Sequence, residues 1–250
     1  MEKESKICAN FIRESKSTVV LTGAGISTNA GIPDFRGPSG IYTTGKYDPD
    51  RVFEFINFVE DPKPFYDFAR DFVKLLESCA PTLAHRFFAR LEEAGKLKGI
   101  VTQNIDALHK IAGSKEVINL HGSIDKSYCL ECGKEYSFEE MKKKIFEEEI
   151  PRCDVCNGLI KPDIVFFGEN VKDFPKAEEL VYNSELFLIV GTSLEVYPAN
   201  LLVSLARGRV LFVGKGHSNL NRYFDLIVNE DIDNFFKSVT FYLQDLIGKI

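Results

Sequence analysis

The chain has 250 residues, 44% hydrophobic and 27% charged, with a formal net charge of −6 at pH 7; that suits one globular unit, or one large domain with a small insert. The acidic balance argues against nucleic acid or an anionic membrane surface as partner, and no apolar run approaches the roughly 18 residues of a bilayer span. Met1-Glu-Lys-Glu-Ser5 lacks the apolar core of a secretory signal, so the expected location is cytoplasmic, where thiols stay reduced.

Residues 3–15 carry Ile7, Phe11 and Ile12 at helical spacing among charges. Thr18-Val-Val-Leu21 reads as a buried strand. Gly23 and Gly25 then permit a tight turn that brings backbone N–H groups close to a ligand, and Ser27 or Thr28 can open a helix whose N-terminus faces a phosphate. The third glycine of G-x-G-x-x-G is replaced by Thr28 and the next glycine is Gly31; alone, this is equally a plain strand-to-helix turn. In Ile32-Pro33-Asp34-Phe35-Arg36-Gly37, Pro33 biases Ile32 away from helix. That predicts a loop laid over a ligand, in which Phe35 can stack on a flat ring and Arg36 can pair with phosphate or carboxylate.

Residues 38–50 are rich in Gly and Pro and read as a mobile loop. No second strand follows to carry the ribose-binding acid that dinucleotide folds place about 20 residues past the glycines. Residues 51–79 show an aromatic stripe at helical spacing, read as core. A further helix is expected over 82–94. A strand over 98–102 ends in Gln103-Asn104-Ile105-Asp106, followed by a short helix with Leu108, His109 and Ile111. Polar groups at a strand's carboxyl end suit ligand contacts, and an Asn-Asp turn or cap suits the same residues. Val117-Ile-Asn-Leu120 is the next strand and ends in His121-Gly122; a histidine there can be a general base or a structural group.

Cys129-x2-Cys132 and Cys153-x2-Cys156, 20 residues apart, have the spacing of a zinc ribbon. Four thiolates fill a tetrahedral site, so the metal is expected to be structural; the other reading is redox thiols. Cys8 and Cys79 read as buried fillers. Beyond the insert, Lys161-Pro-Asp-Ile164-Val165-Phe-Phe167-Gly168-Glu169 re-enters the main fold. Strands are expected at Leu186–Val190, closed by Gly191-Thr192-Ser193, and at Arg209–Val213, closed by Gly214, with a last helix over 233–248.

Gly23-Ala24-Gly25-Ile-Ser27, Gly31-Ile-Pro-Asp-Phe-Arg36, Gln103-Asn104-Ile105-Asp106, Leu120-His121-Gly122, the four cysteines and Gly191-Thr192-Ser193 occur in the order seen in the sirtuins. The chain resembles that family of NAD-dependent protein deacylases over about residues 18–232. The resemblance implies an α/β fold: a Rossmann-like parallel sheet with a small zinc-ribbon insert and a helical module. The NAD-binding domain would comprise 1–36, 80–122 and 161–250, the cofactor loop and helical module 37–79, and the zinc ribbon 123–160.

It implies His121 as the catalytic histidine, with Asn104 on a ribose hydroxyl or water. Asp106, Ile105 and Phe35 would hold nicotinamide. Gly23, Ala24, Gly25, Thr28, Arg36, Gln103, Gly191, Thr192 and Ser193 would hold phosphates and riboses, and Asp231 and Ile232 would flank the adenine. Ile164, Val165, Phe167, Gly168 and Glu169, with Leu194 and Val196 opposite, would line the site of an acylated-lysine protein or peptide, bound as an added strand. Nucleic acid and membranes are not expected partners. NAD is the expected co-substrate and one zinc ion, on Cys129, Cys132, Cys153 and Cys156, the structural metal.

Deacylases of acidic acyl groups carry a Tyr and an Arg three residues apart in the helical module. Ala69 and Phe72 stand there, which favours neutral acyl groups. The chain departs from the family at Gly214, where sirtuins usually carry an Asn on the adenine-side ribose. The reaction implied consumes NAD, releasing nicotinamide, free lysine and O-acyl-ADP-ribose. ADP-ribosyl transfer to a protein, or a non-catalytic zinc-ribbon binding protein, are the competing readings.

Overall fold

The computed structural model describes residues 1–34, 40–215 and 221–248. In chain order the elements are α1 (Glu2–Glu14), β1 (Thr18–Thr22), α2 (Ile41–Thr44), α3 (Pro49–Phe53), α4 (Phe55–Glu60), α5 (Lys63–Glu77), α6 (Leu83–Glu93), β2 (Leu97–Thr102) and α7 (Leu108–Ile111). They continue with β3 (Val117–Asn119), β4 (Gly122–Cys129), β5 (Glu135–Ser137), α8 (Phe138–Glu147), β6 (Ile160–Ile164), α9 (Phe174–Tyr182), β7 (Leu186–Val190), α10 (Leu202–Leu205), β8 (Arg209–Val213), β9 (Leu226–Val228), α11 (Ile232–Tyr242) and α12 (Gln244–Ile247).

β1 and β7 are buried along their whole length, the signature of central parallel strands covered on both faces. Among the described residues the main sheet has six strands in the order β3-β2-β1-β7-β8-β9, and every pairing is parallel. The chain walks outward from β1 through β2 to β3, then returns to β7 beside β1 and walks the other way. The strand order therefore reverses between β1 and β7, and the carboxyl ends there are where open α/β sheets hold ligands.

One face packs α1, α6 and α11 through Ile12, Phe87, Phe88, Phe235 and Phe236. The other packs α9 and α10 through Val181, Leu202 and Val203. A second sheet, β5-β4-β6, is antiparallel. Together with α8 and the helices α3–α5 it encloses a third cluster built on Phe58, Phe65, Tyr66, Phe68 and Phe166. Among the described residues no helix is long and apolar enough to cross a membrane.

Several local expectations change. No regular helix follows Gly25: the chain makes two 3-10 turns, Ala24–Ile26 and Thr28–Ala30, and stops at Gly31 with φ 94°. The expected single helical stretch over 51–79 is three helices. The first starts earlier, with Asp48 capping the Asp50 amide and Pro49 at the first turn. The chain is then extended at Glu54 and leaves helix at Asp61, before Pro62 and Pro64 restart it. The loop expected over 38–50 contains α2. The helix over 233–248 breaks at Leu243 into α11 and α12. The helix over 82–94 forms as expected, with Thr82 and His85 as a reciprocal capping box.

Candidate functional site

A cleft of about 630 Å³ opens at the carboxyl ends of the sheet, within the size range of small-molecule sites. Each strand contributes the residues just past its end: Gly23–Gly25 after β1, Gln103–Asp106 after β2, His121 after β3, Gly191–Ser193 after β7, Lys215 after β8, and Glu230–Ile232 after β9. The far wall is Ile164–Glu169 with Phe53, Phe68 and Phe72 of the helical module.

The glycines serve a close approach of two loops. The Gly25 amide donates to the Gly191 carbonyl at 2.8 Å and the Gly23 amide to Val190 O at 3.1 Å. A Cβ on Gly25 would lie 2.8 Å from the Gly191 Cα. These two amides are thus spent on the fold rather than turned to a ligand. Ser27, fully buried, donates its hydroxyl to Asp106 Oδ2 at 2.7 Å. It also accepts from Asn104 Nδ2 at 3.2 Å, and Asn104 Nδ2 donates to Gly23 O at 3.1 Å. With both amide hydrogens engaged, Asn104 has only its Oδ1 acceptor left for a ligand. Asp106 Oδ1 takes the Leu108 amide at 3.0 Å, and burial raises its pKa against those hydrogen bonds.

His121 sits between β3 and β4. Its Nδ1 lies 2.9 Å from the Gln103 carbonyl, which can only accept, so Nδ1 carries the hydrogen and Nε2 the free lone pair. Burial lowers the imidazole pKa, and the Gln103 contact opposes it in part. Gly122 makes this placement possible: its φ is 73°, and a Cβ would collide with the Asp163 carbonyl on the facing strand. Gln103 donates through Nε2 to Thr192 Oγ1 at 2.9 Å, linking the ends of β2 and β7. Asp231 caps α11 through the Asn234 amide at 2.9 Å and accepts from Asn29 at 3.1 Å, tying β9 to the turn after β1.

Most residues singled out in the sequence therefore meet in one cleft. Leu194 is a buried core residue with φ 58°, and Gly214 packs within 3.5 Å of the Gly191 amide nitrogen if given a Cβ, while its neighbour Lys215 reaches the lining. Phe35 and Arg36 lie outside the described residues. The sequence marks Ser27 as a helix opener, Phe53 and Phe68 as members of the stripe, and Phe72 as a stripe member that the resemblance also places at an acyl-selecting position. The stripe does form core, yet these three rings also face the cleft, with Phe68 and Phe72 stacked at 5.5 Å.

In the small sheet the four cysteine Sγ atoms lie within 4.8 Å of one another. The Cys129–Cys156 and Cys132–Cys153 separations are 3.4 and 3.6 Å. A tetrahedron with metal–sulfur bonds of about 2.3 Å has edges of about 3.8 Å, so the set fits a zinc ion. No disulfide joins them. The Tyr136 hydroxyl donates to Cys153 Sγ at 3.1 Å, a supporting contact of the kind that orients metal ligands.

A parallel sheet with a cleft at its strand reversal, an apolar wall beside it and a four-cysteine site that can hold a metal place the chain among α/β proteins with a ligand cleft at the carboxyl ends of the strands. Its residues 23–198 match the model of the Sir2 family. A Thermotoga maritima protein named NAD-dependent protein deacetylase is 43% identical over 235 residues, covering 92% of this chain and 94% of the relative. One of that name from Sulfolobus acidocaldarius is 40% identical over 248 residues, covering 98% and 97%. A solved Sir2 structure with a peptide and NAD+ superposes with a TM-score of 0.87 at 40% identity, covering 94% of this chain and 96% of that one. The chain belongs to the Sir2 family.

Proposed function

We propose that this protein is an NAD-dependent protein lysine deacylase, which moves an acyl group from a lysine side chain to ADP-ribose and releases nicotinamide. Its similarity to deacetylases at 43% and 40% identity, and to a Sir2 structure holding peptide and NAD+, supports that reaction. The observation that carries the site assignment is the His121 ring, in the cleft with Nδ1 tied to Gln103 O.

NAD, when bound, supplies the electrophilic ribose carbon and the hydroxyl that finally accepts the acyl group. The Asp106 carboxylate accepts from the nicotinamide carboxamide, and Ile105 screens that end from water. Asn104 Oδ1 accepts from a ribose hydroxyl. His121 Nε2, unprotonated at neutral pH, takes the proton of the attacking hydroxyl. Thr28, Thr192 and Ser193 offer hydroxyls to phosphates and riboses, beside Ala24 and Gln103, while Gly23, Gly25 and Gly191, whose amides are engaged within the fold, leave room for the ligand to approach the backbone. Asp231 and Ile232 flank the adenine, with the Gly214 backbone at its ribose.

The acylated lysine enters along Ile164, Val165, Phe167, Gly168 and Glu169, with Val196 opposite, and the apolar channel holds its carbonyl oxygen against the ribose. Phe72 and Ala69 bring no cation to this wall, which suits neutral acyl groups. Zinc on Cys129, Cys132, Cys153 and Cys156 holds the small sheet. On this reading the NAD-binding body is 1–36, 80–122 and 161–250, the cofactor loop and helical module 37–79 and the ribbon 123–160. A tetrad that binds metal only as thiolates suits the reducing cytoplasm, and the net charge of −6 supports neither nucleic acid nor membrane as partner.

His121→Ala should retain NAD binding and lose deacylation by about 10²- to 10⁴-fold, the usual worth of a general base. The products on an acetyl-lysine peptide are read by mass. Undiminished turnover would refute the role of His121, and a peptide heavier by ADP-ribose would favour transferase chemistry.

A further inference from the structure

Lys161, on β6, is the one cation among the described residues whose side chain is almost wholly enclosed, at 1% exposure. Burying an ammonium is costly unless it is paired and hydrogen-bonded, and here it is both. Its Nζ lies 2.9 Å from Glu169 Oε2 and donates to the Ile164 carbonyl at 2.6 Å. The Phe166 ring covers it, with the centroid 4.5 Å away.

These two partners are the two ends of the cleft wall. Ile164 opens the segment and Glu169 closes it. The same Glu169 oxygen also accepts the Phe166 amide at 2.8 Å, so one ammonium gathers the start, the middle and the end of the loop. Between those points, among the described residues, the segment makes three further backbone ties to other elements. Val165 N donates to His121 O at 2.8 Å, Phe167 N to Phe53 O at 2.8 Å, and Phe55 N to Phe167 O at 3.1 Å. Val165 and Phe167 thus join the catalytic histidine's backbone to the helical module, and Lys161 stands under the span.

We propose that Lys161 is a positioning residue for the acyl-lysine substrate: through Glu169 and the Ile164 carbonyl it holds the 164–169 wall in the shape that receives the peptide. The proposal rests on the deacylase reading of the cleft. Among the described residues no hydrogen bond or ion pair joins Lys161 to the ends of β1, β7 and β9, which form the nucleotide side: its polar partners are Pro162, Ile164 and Glu169. Its effect therefore falls on the peptide and spares NAD.

The test compares steady-state kinetics of the zinc-loaded protein and its Lys161→Met variant on an acetyl-lysine peptide, with NAD varied separately. The expected result is a peptide KM raised about tenfold or more, an NAD KM within about twofold, and a zinc content of one per chain, a split that marks lost substrate binding. Lys161→Arg should restore peptide KM to within about threefold, since a guanidinium keeps the charge and its donors.

An unchanged peptide KM in Lys161→Met would overturn the proposal. So would equal rises in both KM values with a fall in zinc content, since that is general unfolding of the module. Should Lys161→Met fail to fold, Glu169→Gln is the deciding variant. It keeps the shape and removes the charge, and is expected to raise peptide KM about threefold to tenfold; no change there overturns the proposal. A wild-type protein inactive on every acyl peptide would instead remove the deacylase reading itself.

Discussion

At His121 two neighbours act on two different properties of one ring. The Gln103 carbonyl decides which nitrogen holds the hydrogen, and the enclosing walls decide how readily the ring takes a second one. Because burial depresses the pKa below 6.5, the ring stays neutral, and competent as a base, to a lower pH than a solvated histidine. The acidic limb of kcat/KM for an acyl peptide should therefore have its midpoint below about 6.5. A midpoint above that value would contradict the burial argument. His121 was legible in the sequence as a histidine closing a strand, with glycine after it. Ser27 was not: a serine after a glycine turn reads as a cap, and only the fold reveals that it lies between Asn104 and Asp106.

At the scale of elements, the small sheet is joined to the site at both of its long strands. β4 begins at Gly122, immediately after His121, and β6 ends at Ile164, where the cleft wall begins. The cysteine tetrad lies at the opposite end of that strand pair, where its member Cys129 pairs with Ile160. Removing zinc with a chelator should thus lower both the melting temperature and deacylase activity, with loss tracking the zinc released and recovery on re-addition. Activity that survives complete zinc removal would show that the β4–β6 pair holds without its metal. The cysteine spacing announced this module, because four ligands in two close pairs leave few other uses.

The contact between α6 and α7 tells a different story. The His85 and His109 rings meet at a tilt, with centroids 4.6 Å apart; both are enclosed, and His85 Nε2 and His109 Nδ1 lack hydrogen-bond partners among the described residues. Burial drives the His85 pKa down to about 3 and that of His109 well below its ordinary value. Their neutral forms contribute stability that is full above the unfolded value of about 6.5. As pH falls below that value the unfolded chain binds protons that the native state refuses, at roughly 1.4 kcal/mol per pH unit for each ring. The melting temperature should drop by several degrees between pH 7 and 5; a flat profile would mean that the pair accepts a proton in the native state.

The whole molecule is arranged by the reversal of strand order between β1 and β7. The β-branched and aliphatic runs that build those strands were plain in the sequence, as were most of the polar residues that end them, because a central parallel strand leaves a continuous apolar signal. Weaker signals were lost: α9 spans nine residues and β9 three, too short for either period to stand out. The three-way break of the helical module was hidden because its aromatic stripe runs on across Glu54 and Asp61 as if one helix carried it.

The arrangement has a consequence for stability. The cleft draws on the ends of all six strands and, across it, on α3 and α5, so a dinucleotide bound there touches the native state at many points that the unfolded chain cannot reproduce. A ligand at about 100 times its Kd adds about 2.7 kcal/mol to the native state, and for a chain of this size each kcal/mol moves the midpoint by about 2–4 °C. Saturating NAD should raise the melting temperature by about 5–10 °C on that arithmetic. Acyl peptide alone, whose proposed site is the 164–169 segment, Val196 and the helical module, should raise it less. An equal shift by peptide without NAD would mean that the strand ends are not where the dinucleotide binds.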